Sequence, residues 1–335
     1  MSTKNYTIYA KRLIVSLILI TSMLVTYVSF YFTQINSDKN IQAYFDFRVR
    51  EAVALIDTRI KAYEEVLRGT GGLFKASKTV DREEFKHYIS SLRLADHYPG
   101  IQGVGYSIII PSTLINKHIE TIRSEGFPAY SIYPEGERDT FSSIIYLEPF
   151  SERNLRAFGY DMFSEPMRHK AMQKAIDNDT MSLSGKVRLV QESGINDQSG
   201  FLMYLPIYEN GKPHTLLTDR QENIIGWVYA VFRMNDFISG VHGELADDWD
   251  VDIFDGDIIS SETLMFDSYG DFSEEKLLDN IGYKINQLNV VNHIWTVRIR
   301  PLSLFESRIN TSRPLFVGVI GTIASFTLSL IFWLL

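Results

Sequence analysis

The chain has 335 residues, 45% of them apolar, which is enough for a hydrophobic core and for more than one domain. A formal net charge of −8, with no run of five basic residues, excludes a nucleic-acid partner, since phosphate binding needs a concentrated basic surface. There is no cysteine, so disulfides, thiolate metal sites and a cysteine nucleophile are excluded together, and location has to be read from hydropathy.

Leu13 to Phe32 contains no formal charge and is long enough for the roughly 20 residues that cross about 30 Å of hydrocarbon, which predicts a transmembrane helix. A cleavable leader would carry a shorter apolar run and small residues after it, whereas Tyr31-Phe32-Thr33-Gln34 stands here. Lys4, Lys11 and Arg12 precede this span and only Lys39 follows closely, so residues 1–12 are expected in the cytoplasm and residues 33–313 outside it. Gln34 to Arg68 lacks Gly and Pro and sets Ile41, Phe45, Val49, Ala52, Ile56, Ile60, Tyr63 and Leu67 at steps of three and four, predicting an amphipathic stalk helix over 34–70. It either packs on its own domain or also pairs with a second copy. Gly69, Gly71 and Gly72 are expected to end it.

Asp81 and Glu84 have the spacing of a capping box, so a second helix is predicted over Arg82–Leu94. The period then changes to that of strands: Ile101–Ile110, Ala129–Tyr133, Phe141–Leu147, Leu183–Leu189, Phe201–Tyr208 and Ile224–Phe232, with a helix across Glu165–Ile176. After a helical stretch over Asp236–Ala246 come further strands at Val251–Phe254, Thr263–Phe266, Tyr283–Val290 and Ile294–Ile299. The fold class is α+β with antiparallel sheets, divided near Asn235 into domains at 71–235 and 236–313. A second uncharged run over 315–335, opened by Pro314, predicts another transmembrane helix. Arg308 and Arg313 lie on its outer flank and run against the charge bias. A signal passing through this helix needs an output beyond Leu335 or on a partner protein.

Three blocks carry a resemblance. They are Gly71-Gly72-Leu73-Phe74-Lys75-Ala76-Ser77, then Asp81-Arg82-Glu83-Glu84-Phe85, then Tyr98-Pro99-Gly100-Ile101-Gln102-Gly103-Val104-Gly105-Tyr106. Further blocks follow in order: Tyr146-Leu147-Glu148-Pro149, Gly159-Tyr160-Asp161-Met162 with Ser164-Glu165-Pro166 and Arg168, and Leu183-Ser184-Gly185 through Gln191-Glu192 to Gly200-Phe201-Leu202 and Pro206-Ile207-Tyr208. The chain resembles the CHASE domain family over roughly residues 40 to 300. The resemblance implies an extracytoplasmic, periplasmic sensor of histidine kinases, diguanylate cyclases and adenylate cyclases, built as a long stalk helix plus two PAS-like domains between two transmembrane helices. It places a pocket in the membrane-distal domain. In plant members that recognise cytokinin, an acidic side chain at the end of a pocket strand holds the adenine ring, and Glu148 is the position that matches here; a hydroxyl matches Ser184. Cytokinin itself is not implied as the ligand.

At the end of its strand, Glu148 can face a pocket and accept ligand N–H donors, or it can pair with an arginine. Tyr106, Tyr146, Phe201 and Tyr204 recur along the proposed pocket strands, as ligand contacts or as core. Arg188 can meet an anionic ligand, Glu148 or solvent. Asp247, Asp248, Asp250, Asp252, Asp255 and Asp257 fail the EF-hand pattern, because Ile253 and Ile259 stand where Gly and Glu are required, so a solvated strand face is expected. The seven histidines show no zinc-helix spacing, and neither GxSxG nor a P-loop is present, so neither metal, cofactor nor catalytic set is expected. The functional expectation is a membrane-bound sensor that binds a small-molecule ligand, dimerises through stalk and transmembrane helices, and drives a kinase or cyclase output. The alternative is a stand-alone anchored module that signals laterally to a separate partner.

Overall fold

The computed structural model describes residues 3–192, 194, 197–242, 249–270, 272, 283–301 and 312–334. The chain divides into two compact units, residues 1–51 with 301–335 and residues 52–300.

One helix, α1, runs without interruption from Thr3–Ala76 and contributes to both units. The stop expected at the glycines does not occur. Glycine costs a helix about 1 kcal/mol relative to alanine, but packing overrides it here. A β-carbon on Gly69 would stand 2.6 Å from the Tyr88 hydroxyl, and one on Gly71 2.6 Å from Leu205 Cδ2. These glycines are contact points. In the first unit, α8 (Arg313–Leu334) lies against α1 through small residues. Gly321 has room only for hydrogen beside Thr26, whose hydroxyl is 3.5 Å from that of Ser325. Close backbone approach of this kind drives helix association where apolar burial gives no advantage. Both helices are long and apolar enough to cross a membrane.

The second unit is built on two sheets. α2 (Arg82–Ser91) opens with the expected capping box, Asp81 accepting from the Glu84 amide at 2.8 Å and Glu84 reaching back to the Asp81 amide. It ends before Leu94, where a separate turn, α3 (Leu94–His97), follows an Arg93 in the left-handed region. β1 (Ile101–Pro111), β2 (Thr140–Glu148), β3 (Ser182–Leu183), β4 (Val187–Arg188), β5 (Ser199–Tyr208) and β6 (Ile224–Arg233) form one antiparallel sheet in the order β2-β1-β6-β5-β3, with β4 also on β5. The single strand expected over Leu183–Leu189 is thus two short ones joined at Ser184-Gly185-Lys186. Ala129–Tyr133 is not a strand and makes only an isolated bridge from Tyr133 to Tyr160. Three helices complete this half: α4 (Ile115–Ser124), α5 (Pro166–Asn178) and α6 (Leu217–Asn223). In α5, Glu165 caps the N-terminus, Pro166 takes the first turn, and Arg168, Ala171, Met172, Ala175 and Ile176 make one buried stripe.

α7 (Met234–His242) leads to the second sheet, of β7 (Trp249–Asp255), β8 (Leu264–Asp267), β9 (Lys284–Val290) and β10 (His293–Pro301), ordered β8-β7-β10-β9. Of the helix expected over Asp236–Ala246, the part beyond His242 lies outside the described residues. Of the acidic run expected to be solvated, Asp257 is exposed and Asp255 half-buried, but Asp250 and Asp252 are buried. Asp252 pairs with Arg298 at 2.7 Å and Asp250 with Arg300 at 2.9 Å, both residues being 1% exposed, so arginines from β10 face these two; Asp247 and Asp248 lie outside the described residues.

Candidate ligand-binding face

Cross-strand register sorts the first sheet's side chains onto two faces. Ser182 pairs with Tyr204, Tyr204 with Tyr229, Tyr229 with Gly105 and Gly105 with Leu147, so these five form one row on one face. The adjacent row, Leu205, Val228, Tyr106 and Tyr146, lies on the other. Glu148 is opposite Val104, and Phe201 opposite Phe232, on that same second face.

The second face is closed by helices. Tyr63 of α1 packs on Phe232 with centroids 5.0 Å apart, Phe74 on Tyr106 at 4.5 Å, and Phe85 of α2 on Tyr146 at 5.3 Å. Phe201 is fully buried there, stacked on Phe232 and edge-on to Trp295 of the second sheet. The Tyr106 hydroxyl donates to the Ile225 carbonyl and that of Tyr146 to the Val80 carbonyl, each at 3.0 Å. Burial raises both phenols' pKa. Glu148 is buried and has no arginine partner among the described residues; its Oε2 accepts from the Phe150 amide at 3.0 Å, and burial raises its pKa.

The seven residues singled out in the sequence therefore do not converge. Tyr106, Tyr146, Glu148 and Phe201 lie under the helices, and Tyr204 lies on the opposite face. Ser184 sits at the β3–β4 corner, where its hydroxyl accepts from the Leu202 amide at 2.9 Å and donates to the Gly185 carbonyl at 2.8 Å. Arg188 points outward and pairs with Asp197 at 2.6 Å, meeting neither Glu148 nor the sheet face.

The first face is covered by α5 and the segments around residues 157–163, over a core that includes Leu147, Met162, Met172, Leu202, Trp227 and Val231. At one end, between the end of β1, the start of β2 and α5, a cleft of about 500 Å³ opens, lined by Ile109, Thr140, Phe163, His169, Gln173 and Ile224 among others. Phe163 is stacked on His169 at 4.3 Å and edge-on to Trp227 at 5.1 Å. Arg138 also lines the cleft; its Nη1 is 3.1 Å from Oδ2 of the buried Asp161, and its Nε is buried without a hydrogen-bond partner. Asp161 Oδ1 takes the Ser142 and Phe163 amides, at 2.8 and 3.0 Å; burial raises the Asp161 pKa against these donors. Deeper on the same face lie Arg168, Tyr204 and Tyr229, all buried.

The CHASE domain model matches residues 78–266. The chain belongs to the CHASE domain family. It is an extracytoplasmic sensor of α+β fold, with a long N-terminal helix, antiparallel sheets and two apolar helices. The CHASE match runs from ahead of α2 into β8, so it takes in the first sheet whole and part of the second. Among solved structures, the chain is similar to an extracellular ligand binding receptor from Desulfohalobium retbaense DSM5692, with 8% identity and a TM-score of 0.45 over 76% of this chain and 40% of that one. It is also similar to the periplasmic sensory domain of the Campylobacter jejuni chemoreceptor Tlp1, with 9% identity and a TM-score of 0.45 over 77% of this chain and 92% of that one. No curated protein matches.

Sequence reasoning missed Arg138 and Tyr229 and took Arg168 only as part of a motif. The available signals were weak: Trp227 and Tyr229 alternate along the strand expected over Ile224–Phe232, and Arg168 stands among α5's apolar positions.

Proposed function

We propose that this CHASE chain is a two-pass inner-membrane sensor, anchored by α1 over residues 13–32 and by α8, with its sheets outside the cytoplasm. The first sheet and its helices act as a membrane-distal PAS-like ligand-binding domain over 71–235, and the second sheet as a membrane-proximal PAS-like domain over 236–313. The ligand is a small molecule taken up on the sheet face beneath α5. The observation that carries this reading is the cleft of about 500 Å³, which lies on a CHASE-matched sheet and combines apolar walls with a few polar groups, as small-molecule sites do. Of the residues singled out in the sequence, Tyr204 belongs to this site; Tyr106, Tyr146, Glu148 and Phe201 support the helices behind it.

Ligand binding changes output only through unequal affinity for two arrangements of the chain, and a coupling of about 1–3 kcal/mol changes output roughly 5- to 150-fold. Dimerisation through stalk and transmembrane helices supplies the reference against which one helix moves, and a cytoplasmic kinase or cyclase reads the movement.

Two measurements test the proposal. Because the chain has no cysteine, Glu135→Cys and Lys212→Cys give single labelling positions, and a membrane-impermeant maleimide should modify both in intact spheroplasts. Protection of both until lysis refutes the topology. A thermal-shift screen of the full chain against purines, amino acids, carboxylates and peptides should give at least one ligand whose stabilisation is abolished by Gln173→Trp, which fills the cleft. A ligand indifferent to that variant moves the site elsewhere.

A further inference from the structure

The sheet face beneath α5 carries a row of three hydroxyls, two of which have no hydrogen-bond partner among the described residues. Tyr229 is fully buried, and its Oη has no hydrogen-bond partner. Its ring tip lies over Gly105, where a β-carbon would come within 2.5 Å of it. Beside it, Tyr204 is equally buried and reaches only the thioether of Met162, at 3.3 Å. Next in the row, Ser182 is 1% exposed and its Oγ also lacks a partner. Buried polar groups are paired in the great majority of cases, so two orphans in one cross-strand row point to a missing partner.

A buried cation accompanies the row. Arg168 is 4% exposed, and its Nη1 and Nη2 donate to neutral acceptors, the Tyr160 hydroxyl at 3.2 Å and the Arg188 carbonyl at 3.0 Å. Its carboxylate neighbour, Glu165, stands 3.6 Å away and is already engaged in capping α5, accepting from the Met167 and Arg168 amides. Burial raises the pKa of Tyr204 and Tyr229, which keeps both phenols protonated, while Arg168 acts on both in the opposite sense. Guanidinium groups only donate, and a protonated phenol beside one is best used as a donor too. An amine would use the hydroxyls only as acceptors and would bring a second positive charge beside a guanidinium whose one carboxylate neighbour, Glu165, stands 3.6 Å away. An oxyanion would accept from the hydroxyls and from the guanidinium at once, in the charge-assisted form that is the stronger hydrogen bond.

We propose that the deep end of the ligand site recognises the carboxylate of a small molecule through Tyr229, Tyr204 and Arg168, with Ser182 at the edge of the row. This rests on the proposed ligand role of the face beneath α5. The remainder of the molecule extends past Phe163 and Trp227 toward the cleft.

The test uses the full chain in detergent micelles, with benzoate, pyruvate and succinate as probes, benzamide and pyruvamide as uncharged counterparts, and adenine as a donor-bearing probe. Melting is followed by tryptophan fluorescence. At concentrations about 100-fold above the dissociation constant, one or more carboxylates should raise the melting temperature by roughly 5–10 °C, and the matched amide should not. Tyr229→Phe should weaken that binding on the order of 10-fold or more while leaving the melting temperature without ligand unchanged or higher, because an unsatisfied hydroxyl has been removed. The proposal is overturned if no carboxylate stabilises the chain, or if stabilisation is the same in Tyr229→Phe and Ser182→Ala, the second meaning binding elsewhere. If adenine or an amide stabilises the chain and Gln173→Trp abolishes the effect, the binding face stands and the carboxylate assignment falls. Carboxylate binding that survives Gln173→Trp, Tyr229→Phe and Ser182→Ala together removes the face as well.

Discussion

Gly185 sits where the first sheet's β3–β4 corner meets the second sheet, and replacing it with alanine tests how tightly the two are joined. A β-carbon there would overlap Met167 Cε and stand 2.7 Å from Asp255 Oδ2. Met167 is the free end of a flexible, partly exposed side chain and can turn away at little cost. Asp255 cannot. Its Oδ2 accepts from the Lys186 amide at 2.8 Å, and its Oδ1 pairs with His293 Nε2 at 2.5 Å, at the start of β10. Moving the carboxylate gives up a hydrogen bond to a charged acceptor, about 1.5–3 kcal/mol, so a net loss of about 2 kcal/mol is expected. At 2–4 °C per kcal/mol for a body of this size, the melting temperature should fall by roughly 4–8 °C. Fluorescence of Trp227 in the first sheet and of Trp249 and Trp295 in the second should report the same transition. The decisive comparison is a double-mutant cycle. With Asp255→Ala already present the obstacle is gone, and adding Gly185→Ala should cost less than about 0.5 kcal/mol. An equal cost in both backgrounds, or none in the parent, refutes the idea that Asp255 holds the corner.

Three further perturbations follow from the packing. Asp252→Ala leaves the Arg298 guanidinium, 1% exposed and ringed by Tyr283, Phe272 and Phe254, without its carboxylate; denaturant titration should show a loss of about 3–5 kcal/mol, and a loss below about 1 kcal/mol contradicts the buried pairing. Burial raises the pKa of Glu148, so the folded chain holds that proton more tightly than the unfolded one, and stability drops as pH rises from the ordinary glutamate value of about 4.3 through the raised one. Glu148→Gln should therefore melt above the parent at neutral pH and lose that advantage below about pH 4; a pH-independent difference would sink the assignment. Gly105→Ala would bring a β-carbon within 2.5 Å of both the Tyr146 carbonyl oxygen and Tyr229, and should cost upward of about 3 kcal/mol, with no compensation from Tyr229→Ala because the carbonyl remains.

What the sequence revealed and what it hid divide along one physical line. The capping box at Asp81 and Glu84, the cap and proline that start α5, and the two apolar spans are local devices, in which the residues that interact are close in the chain, and all of them were legible. The glycines at 69 and 71 were misread because their reason lies in Tyr88 and Leu205, 19 and 134 positions away, which no local propensity registers. The candidate residues part onto two faces for a related reason. Strict alternation along Phe141–Leu147, extended one step, gives Leu147 and Phe141 one face and Glu148 and Ile144 the other. The β1–β2 register instead slips between Tyr106 and Ser107, pairing them with Tyr146 and Ile144 and leaving Ile145 unpaired. That one extra residue sends Tyr146 and Glu148 to the face under α1 and α2 together with Phe141, and keeps Ile144 and Leu147 on the other. A bulge leaves no mark in the order of polar and apolar residues, so the carboxylate that looked most like a ligand group ends behind the sheet. The groups that share the face beneath α5, Tyr204, Tyr229 and Arg168, are joined only by the β5–β6 register and by the stripe on α5. Their association is a property of the folded sheet, set by strand pairing and marked by no motif.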